Sequence, residues 1–270
     1  MIEANIQNIP QEFDVVKQNF IPKLDTLMFV DYSQIELRLL AYYLEYIGDS
    51  SMAEVFKAGR DLHAETAKGI FDLNCEPTPD ERFVGKTLNF AITYQGGIPT
   101  VMELLNVKSK EADEILTKYH KTWPSIGRHR YCKCHLEWCP DHDPYPGTLC
   151  YILREANRRR GYSKTLIGRK VKPTSDHKIL SSVVQGGAAE IMKEAMLVTH
   201  QSLEMMEFTS HLVSTIHDEL ILDCVTEEVP ALALHLPDWM DYPLVTEVVP
   251  FKVDIEVSNT SWADKEIYGG

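Results

Sequence analysis

The chain has 270 residues, with 40 acidic side chains against 27 basic ones and a formal net charge of −13. That length can bury a sizeable core as one large domain or two subdomains, and no run of about 18 apolar residues exists to span a membrane. The first residues lack the charged-then-apolar layout of a signal peptide, so the six cysteines are expected as free or metal-bound thiols in a reducing compartment, the cytoplasm.

Taken in chain order, the apolar run Leu27-Met28-Phe29-Val30 predicts a strand ending at Asp31, and Tyr32-Ser33-Gln34-Ile35-Glu36-Leu37-Arg38 opens a helix. Thr78-Pro79-Asp80-Glu81 is a helix start, with Thr78 as N-cap, Pro79 in the first helical position and Glu81 completing a capping box. This helix should run to about Tyr94, before Gly96-Gly97 stops it. Ser109 is expected to cap a second helix through about Lys121, with Pro124 beyond it. Gly161 to Pro173 alternates as a hairpin around Ile167-Gly168. A long helix from about Asp176 to Glu207 follows, eased by Gly186-Gly187. Then come a hairpin centred on Asp218, a helix after Thr226 and a final strand through Phe251–Val257. Strands at both ends with helices between predict an α+β fold, a sheet interrupted by a helical insertion.

The acidity is unevenly spread. Residues 201–270 hold 14 acids against only Lys252 and Lys265. Residues 154–172 run the other way, with Arg154, Arg158, Arg159, Arg160, Lys164, Arg169, Lys170 and Lys172 against Glu155 alone. Such a strip could neutralise several backbone phosphates, with salt-sensitive binding as the consequence; its other reading is a solvated helix face.

The chemistry concentrates in three stretches. Asp31 and Asp218 each sit where a strand gives way to another element, and paired carboxylates that hold metal serve phosphoryl transfer. Between them, Arg82, Lys86 and Phe90 follow one another at four-residue steps, each turning about 40° round a helix. From Arg82 to Phe90 the rise is roughly 12 Å, about the reach of a nucleotide from terminal phosphate to base.

Asp-Tyr-Ser-Gln-Ile-Glu-Leu-Arg from Asp31, Arg-x3-Lys-x3-Phe-x3-Tyr from Arg82 and His217-Asp218-Glu219 resemble motifs A, B and C of the family A DNA polymerases, relatives of bacterial DNA polymerase I. Asn5-Ile6-Gln7-Asn8-Ile9-Pro10, Gly59-Arg60-Asp61-Leu62-His63 and Gln185-Gly186-Gly187-Ala188-Ala189 extend the likeness, which runs from about Asn5 to Trp262. The resemblance implies an antiparallel-sheet palm (1–34 and 173–270) interrupted by helical fingers (35–172). The family's thumb and exonuclease-like domains lie before Asn5 and are expected to be absent.

The same resemblance implies template-directed addition of dNTPs to a primer 3′-hydroxyl. Asp31, Asp218 and the Tyr32 carbonyl would hold two Mg²⁺ ions, with Glu219 a supporting carboxylate. Arg82, Lys86 and His63 would bind phosphates, Lys86 also serving as general acid toward pyrophosphate. Phe90 would stack on the incoming base, Tyr94 would lie by the templating base, and Gln34 would line the nucleotide site. Glu36, held by the Tyr94 hydroxyl, would fill the space a 2′-hydroxyl needs. Asn5, Gln7, Gln185, His217 and Arg169 would contact primer–template DNA, and Arg38 reads as a structural salt-bridge partner.

Three departures stand out. Ala91 and Gln95 occupy usual glycine positions, and Thr215 replaces a usual Gln. The expected absence of a thumb leaves an alternative: a non-autonomous half or nucleic-acid-binding subunit that needs a separate thumb or exonuclease chain or a processivity factor. Finally, residues 128–151 read as inserted and contain Cys132, Cys134, His135, Cys139, His142 and Cys150. Cys132, Cys134, Cys139 and Cys150 offer a tetrahedral set for structural Zn²⁺, or the loop simply carries free thiols. Cys75 and Cys224 read as packing residues.

Overall fold

A computed structural model describes residues 14–94, 96–127 and 147–269. In chain order, a short helix α1 (Asp14–Lys17) leads to strand β1 (Thr26–Tyr32) and helices α2 (Ile35–Tyr46), α3 (Ser51–Lys57) and α4 (Leu62–Phe71). Helices α5 (Pro79–Thr93), α6 (Ile98–Leu105), α7 (Ser109–Thr122) and α8 (Leu149–Arg160) follow, then strands β2 (Ser163–Lys164) and β3 (Lys170–Val171). The chain closes with α9 (Ile179–Met205), β4 (His211–Ile216), β5 (Glu219–Cys224), α10 (Val229–Trp239), α11 (Pro243–Thr246), β6 (Val253–Ser258) and β7 (Glu266–Ile267).

Contacts divide the described residues into two compact groups: a sheet group within 1–35, 188–246 and 251–270, and a helical group within 36–187 with 247–250. Residues 173–187, which the sequence assigns to the closing segment, fall in the helical group. The reason is close packing without side chains at two glycines. A Cβ on Gly186 would come within 2.4 Å of Thr165, and one on Gly187 within 3.4 Å of Leu39 and Leu166.

In the sheet group, strands lie in the order β4-β5-β1-β6-β7, all neighbours antiparallel. Strand β1 is central and its run Leu27 to Val30 is buried, as expected for a strand covered on both faces. One face packs Leu27, Phe29, Ile221 and Trp262 into a cluster. From the other, Tyr32 sends its hydroxyl to the Met240 carbonyl just past α10.

In the helical group α4 and α5 pack most intimately, and Gly85 is the cause. A Cβ there would meet the His63 carbonyl at 2.2 Å and the Ala67 nitrogen at 3.0 Å, so only glycine lets the two helices touch. The capping box at Thr78 is present: Thr78 Oγ1 accepts from the Glu81 N–H at 3.3 Å, and Glu81 Oε2 accepts from the Thr78 N–H at 2.7 Å.

Several elements differ from their expected form. Asp31 lies inside β1 rather than at its end, because pairing with β5 and β6 continues to Asp31 and, on the β6 side, Tyr32. Lys108, not Ser109, caps α7, and it makes no side-chain cap bond. Cys75 is exposed, which does not fit a packing role, whereas Cys224 is buried. Arg154 is buried beside Asp176, 3.7 Å away, so the basic strip is not solvent-facing throughout. Arg38 is buried too, donating to the Pro250 carbonyl with its guanidinium over the Phe56 ring.

Candidate active site

Alternation along β1 places Leu27, Phe29 and Asp31 on one face. Pairing then sets Asp31 opposite Glu219 on β5 and Asp254 on β6, and Phe29 opposite Ile221 and Glu256. This face is therefore apolar at one end and acidic at the other. Asp218 joins the acidic end from the two-residue turn between β4 and β5, where Ile216 pairs with Glu219. The turn needs His217 at φ 54°, a left-handed conformation that non-glycine residues seldom adopt. The Tyr32 N–H donates to the Asp218 carbonyl at 3.1 Å and ties the turn to β1.

Crowded carboxylates disfavour their own ionisation. Burial, followed by the charges of Asp218 and Glu219, pushes Asp31 up to about 8. Asp218 is also raised, chiefly by burial. Burial and its acidic neighbours therefore hold the Asp31 carboxyl well above the usual carboxylate range. Glu219 is raised by burial as well but is engaged elsewhere. Lys265 pairs with Glu219 and, at 3.3 Å, with Glu256, while its ammonium lies 4.3 Å over the Phe29 ring.

Among the described residues no group of three or more Asp, Glu, His or Cys side chains is arranged to hold a metal. The Asp31–Asp218 pair nevertheless fits Mg²⁺, which takes one or two protein carboxylates and completes its shell with water and substrate phosphates. A cation would also offset the mutual repulsion of these carboxylates.

In the helical group, α5 buries Gly85, Leu88, Asn89 and Ile92 and leaves Arg82, Lys86 and Tyr94 exposed. Asp61 caps α4, accepting from the His63 N–H at 2.9 Å, and its other oxygen pairs with Arg82. The His63 and Phe90 rings lie 5.9 Å apart at 41°. Burial lowers His63 to about 4; Arg82 and Lys86 push the same way and Asp61 opposes them. His63 is therefore neutral at physiological pH. Tyr94 Oη donates to Glu36 Oε2 at 2.9 Å. Beside Phe90 and Tyr94 opens a cleft lined by Thr87, Ala91, Thr100, Leu104, His177 and Lys178.

The remaining candidates scatter. Gln185 is exposed on α9, next to Gly186, whose carbonyl accepts from Arg169 at 3.4 Å, so these two are brought together. Gln34 takes φ 59° just before α2, and its Oε1 is buried without a partner among the described residues. Asn5, Gln7, Gln95, Cys132, Cys134 and Cys139 lie outside the described residues. Cys150 is half-buried and its thiol is pushed up to about 12 by burial. Lys265, Asp254, Asn89, Thr66 and Trp123 were not singled out by the sequence reading. Asn89 had a usable signal: it is a polar residue on the apolar stripe of α5. Lys265 had another, as one of two cations in an acidic tail.

The model for DNA polymerase family A matches residues 1–264. The chain belongs to this family. It is 32% identical over 280 residues to DNA polymerase I of Bacillus caldotenax, covering 97% of this chain and 29% of that protein. Thermostable DNA polymerase I of Thermus aquaticus is 30% identical over 283 residues, covering 98% of this chain and 31% of its own length. The chain thus spans less than a third of these curated relatives. The fold is similar to that of the POL domain of Pol1 from M. smegmatis, solved in complex with DNA primer-template and dNTP. The TM-score is 0.76 at 24% identity, covering 96% of this chain and 45% of that one. Among the described residues no helix of this polymerase-family chain is long and apolar enough to cross a membrane.

Proposed function

We propose that this chain carries the nucleotidyl-transfer centre of a DNA-directed DNA polymerase, with the sheet group as palm and the helical group as fingers. The reaction is attack of a primer 3′-hydroxyl on the α-phosphate of a template-matched dNTP, with release of pyrophosphate. The observation that carries this reading is the meeting of Asp31 and Asp218 at the acidic end of the sheet, where Asp31 pairs with Glu219 and the Tyr32 N–H donates to the Asp218 carbonyl at 3.1 Å.

Asp31, Asp218 and the Tyr32 carbonyl would hold Mg²⁺, which when bound activates the attacking hydroxyl and steadies the leaving oxygen. Lys265 keeps Glu219 as a supporting carboxylate by pairing with it. Arg82 and Lys86 bind the β and γ phosphates, Arg82 exchanging its Asp61 partner for the nucleotide. His63 is neutral and donates one uncharged hydrogen bond to the same phosphates. Phe90 stacks on the incoming base, Tyr94 flanks the templating base, and Gln34 lines the nucleotide site. Glu36, fixed by Tyr94, fills the space of a 2′-hydroxyl and favours deoxyribonucleotides. Gln185, Arg169, His217, Asn5 and Gln7 contact the primer–template.

Primer extension at low salt with Mg²⁺ and four dNTPs tests this reading. Extension by the parent chain, lost in Asp218→Ala, is expected. Absence of extension by the parent would favour a centre that works only with a partner chain gripping the duplex.

A further inference from the structure

Lys265 places an ammonium against the acidic end of the sheet, and its surroundings fix where that charge sits. Its Nζ pairs with Glu219 Oε2 and lies 3.3 Å from Glu256 Oε2 and 4.3 Å over the Phe29 ring. The side chains of Lys265 and Glu219 are only 22% and 12% exposed. The backbone that carries Lys265 is held on both sides. Before it, Trp262 is buried in the cluster with Leu27 and Phe29, and the Asp264 carboxylate accepts from the Ser261 and Thr260 hydroxyls at 2.6 and 2.9 Å. After it, Glu266 and Ile267 of β7 pair with β6.

Strand register gives the ion pair a direction. Across β5, β1 and β6, one row of this face reads Glu219, Asp31, Asp254, and the next reads Ile221, Phe29, Glu256. Lys265 binds one carboxylate from each row with its ammonium over Phe29, so it draws the Glu219 carboxylate toward the Phe29 row. Asp218 lies on the opposite side, in the turn that precedes Glu219.

Stability does not account for such a pair. Taking two charges out of water costs about as much as their attraction returns, and well-packed apolar residues hold a core as well. What the pair changes is the number of carboxylates open to a cation. Residues directly opposite on antiparallel strands have Cβ atoms roughly 5 Å apart, so a released Glu219 could share an ion with Asp31 and Asp218. Hard cations bind more tightly as ligand charge increases, whereas Mg²⁺ at a phosphoryl-transfer site keeps positions for water and substrate phosphates.

We propose that Lys265 is a positioning residue that holds Glu219 back from the metal site, so that Asp31 and Asp218 bind the cation with coordination positions left for the nucleotide phosphates and the primer hydroxyl. This role deepens the proposed function and rests on it for the place of the cation.

The test is Mn²⁺ binding to the full chain without DNA or nucleotide, read from the electron paramagnetic resonance of free Mn²⁺ at fixed salt and pH. Lys265→Met keeps an apolar stem beside Phe29 and removes the charge. It should tighten Mn²⁺ binding about tenfold, the scale on which outer-shell partners alter metal affinity, and Lys265→Arg should keep the parent affinity. In a Glu219→Gln background, Lys265→Met should tighten binding far less, because the two side chains act as a unit. Glu219→Gln alone leaves Lys265 paired with Glu256 and should bind Mn²⁺ nearly as the parent does, a reading that stands even if Lys265→Met does not fold. Unchanged affinity in Lys265→Met, equal tightening with and without Glu219, or a loss of about tenfold in Glu219→Gln would overturn the proposal. Asp218→Ala separates the two readings. Binding lost there but untouched by Lys265→Met would defeat this role alone, whereas a parent that binds no better than Asp218→Ala would defeat the proposed function with it.

Discussion

A carboxyl raised this far above its ordinary range gives Asp31 a testable consequence. Its folded value of about 8 stands against an ordinary 3.8, so the folded chain holds a proton that the unfolded chain releases between those limits. The stability this group contributes is full below about pH 3.8 and is lost as pH rises to about 8. Asp31→Asn should remove that loss, making the metal-free chain more stable than the parent at pH 8 while polymerisation disappears. Urea unfolding without divalent ions across this range would show it, and parallel pH profiles for the two proteins would contradict it. Glu36 offers a second case. Its carboxylate is fixed by the Tyr94 hydroxyl at 2.9 Å, so Glu36→Ala should open the pocket to a 2′-hydroxyl. Ribonucleotide incorporation should rise at least tenfold relative to deoxyribonucleotide, on the order of a single lost discriminating contact. A parent chain that already uses both sugars equally would defeat the assignment.

Among the elements, α5 shows how local signals and tertiary packing divide the work. Its start was legible because Thr78, Pro79 and Glu81 satisfy orphan N–H groups by short-range chemistry, and Thr78→Ala should cost about 1 kcal/mol. The row of Arg82, Lys86 and Phe90 was legible too, since four-residue steps share a face by helical geometry. What those residues face was not. Asp61 on Arg82 and the His63–Asn89 bond depend on helices that approach across Gly85, which no period in the sequence reports. Gly85→Ala should therefore destabilise by roughly 1–3 kcal/mol, as overpacking does. Denaturant unfolding would measure this, and a neutral effect would argue against the close α4–α5 contact. In the sheet, the apolar run of β1 marked a strand. The pairing of Asp31 with Asp254 did not follow from it, because β6 joins from a distant segment and register is a tertiary property. The left-handed Gln34 and His217 were equally hidden, since neither is a glycine.

For the whole molecule, net charge alone misleads about partners. The −13 total concentrates in the closing segment, part of which forms the acidic end of the sheet, while α8 and the β2–β3 hairpin stay basic. Exposed Arg160 and Lys164 belong to that basic strip, and replacing each with Gln should reduce the slope of log affinity against log salt by about one per residue. Fluorescence anisotropy on a primer–template over a salt series would read it. The most direct measurement of the proposed activity is single-nucleotide addition on four templates that differ only in the templating base. Addition of the complementary dNTP alone, abolished in both Asp31→Asn and Asp218→Ala, is expected. Addition that ignores the template base, or that survives either substitution, would contradict a templated reaction centred on this carboxylate pair.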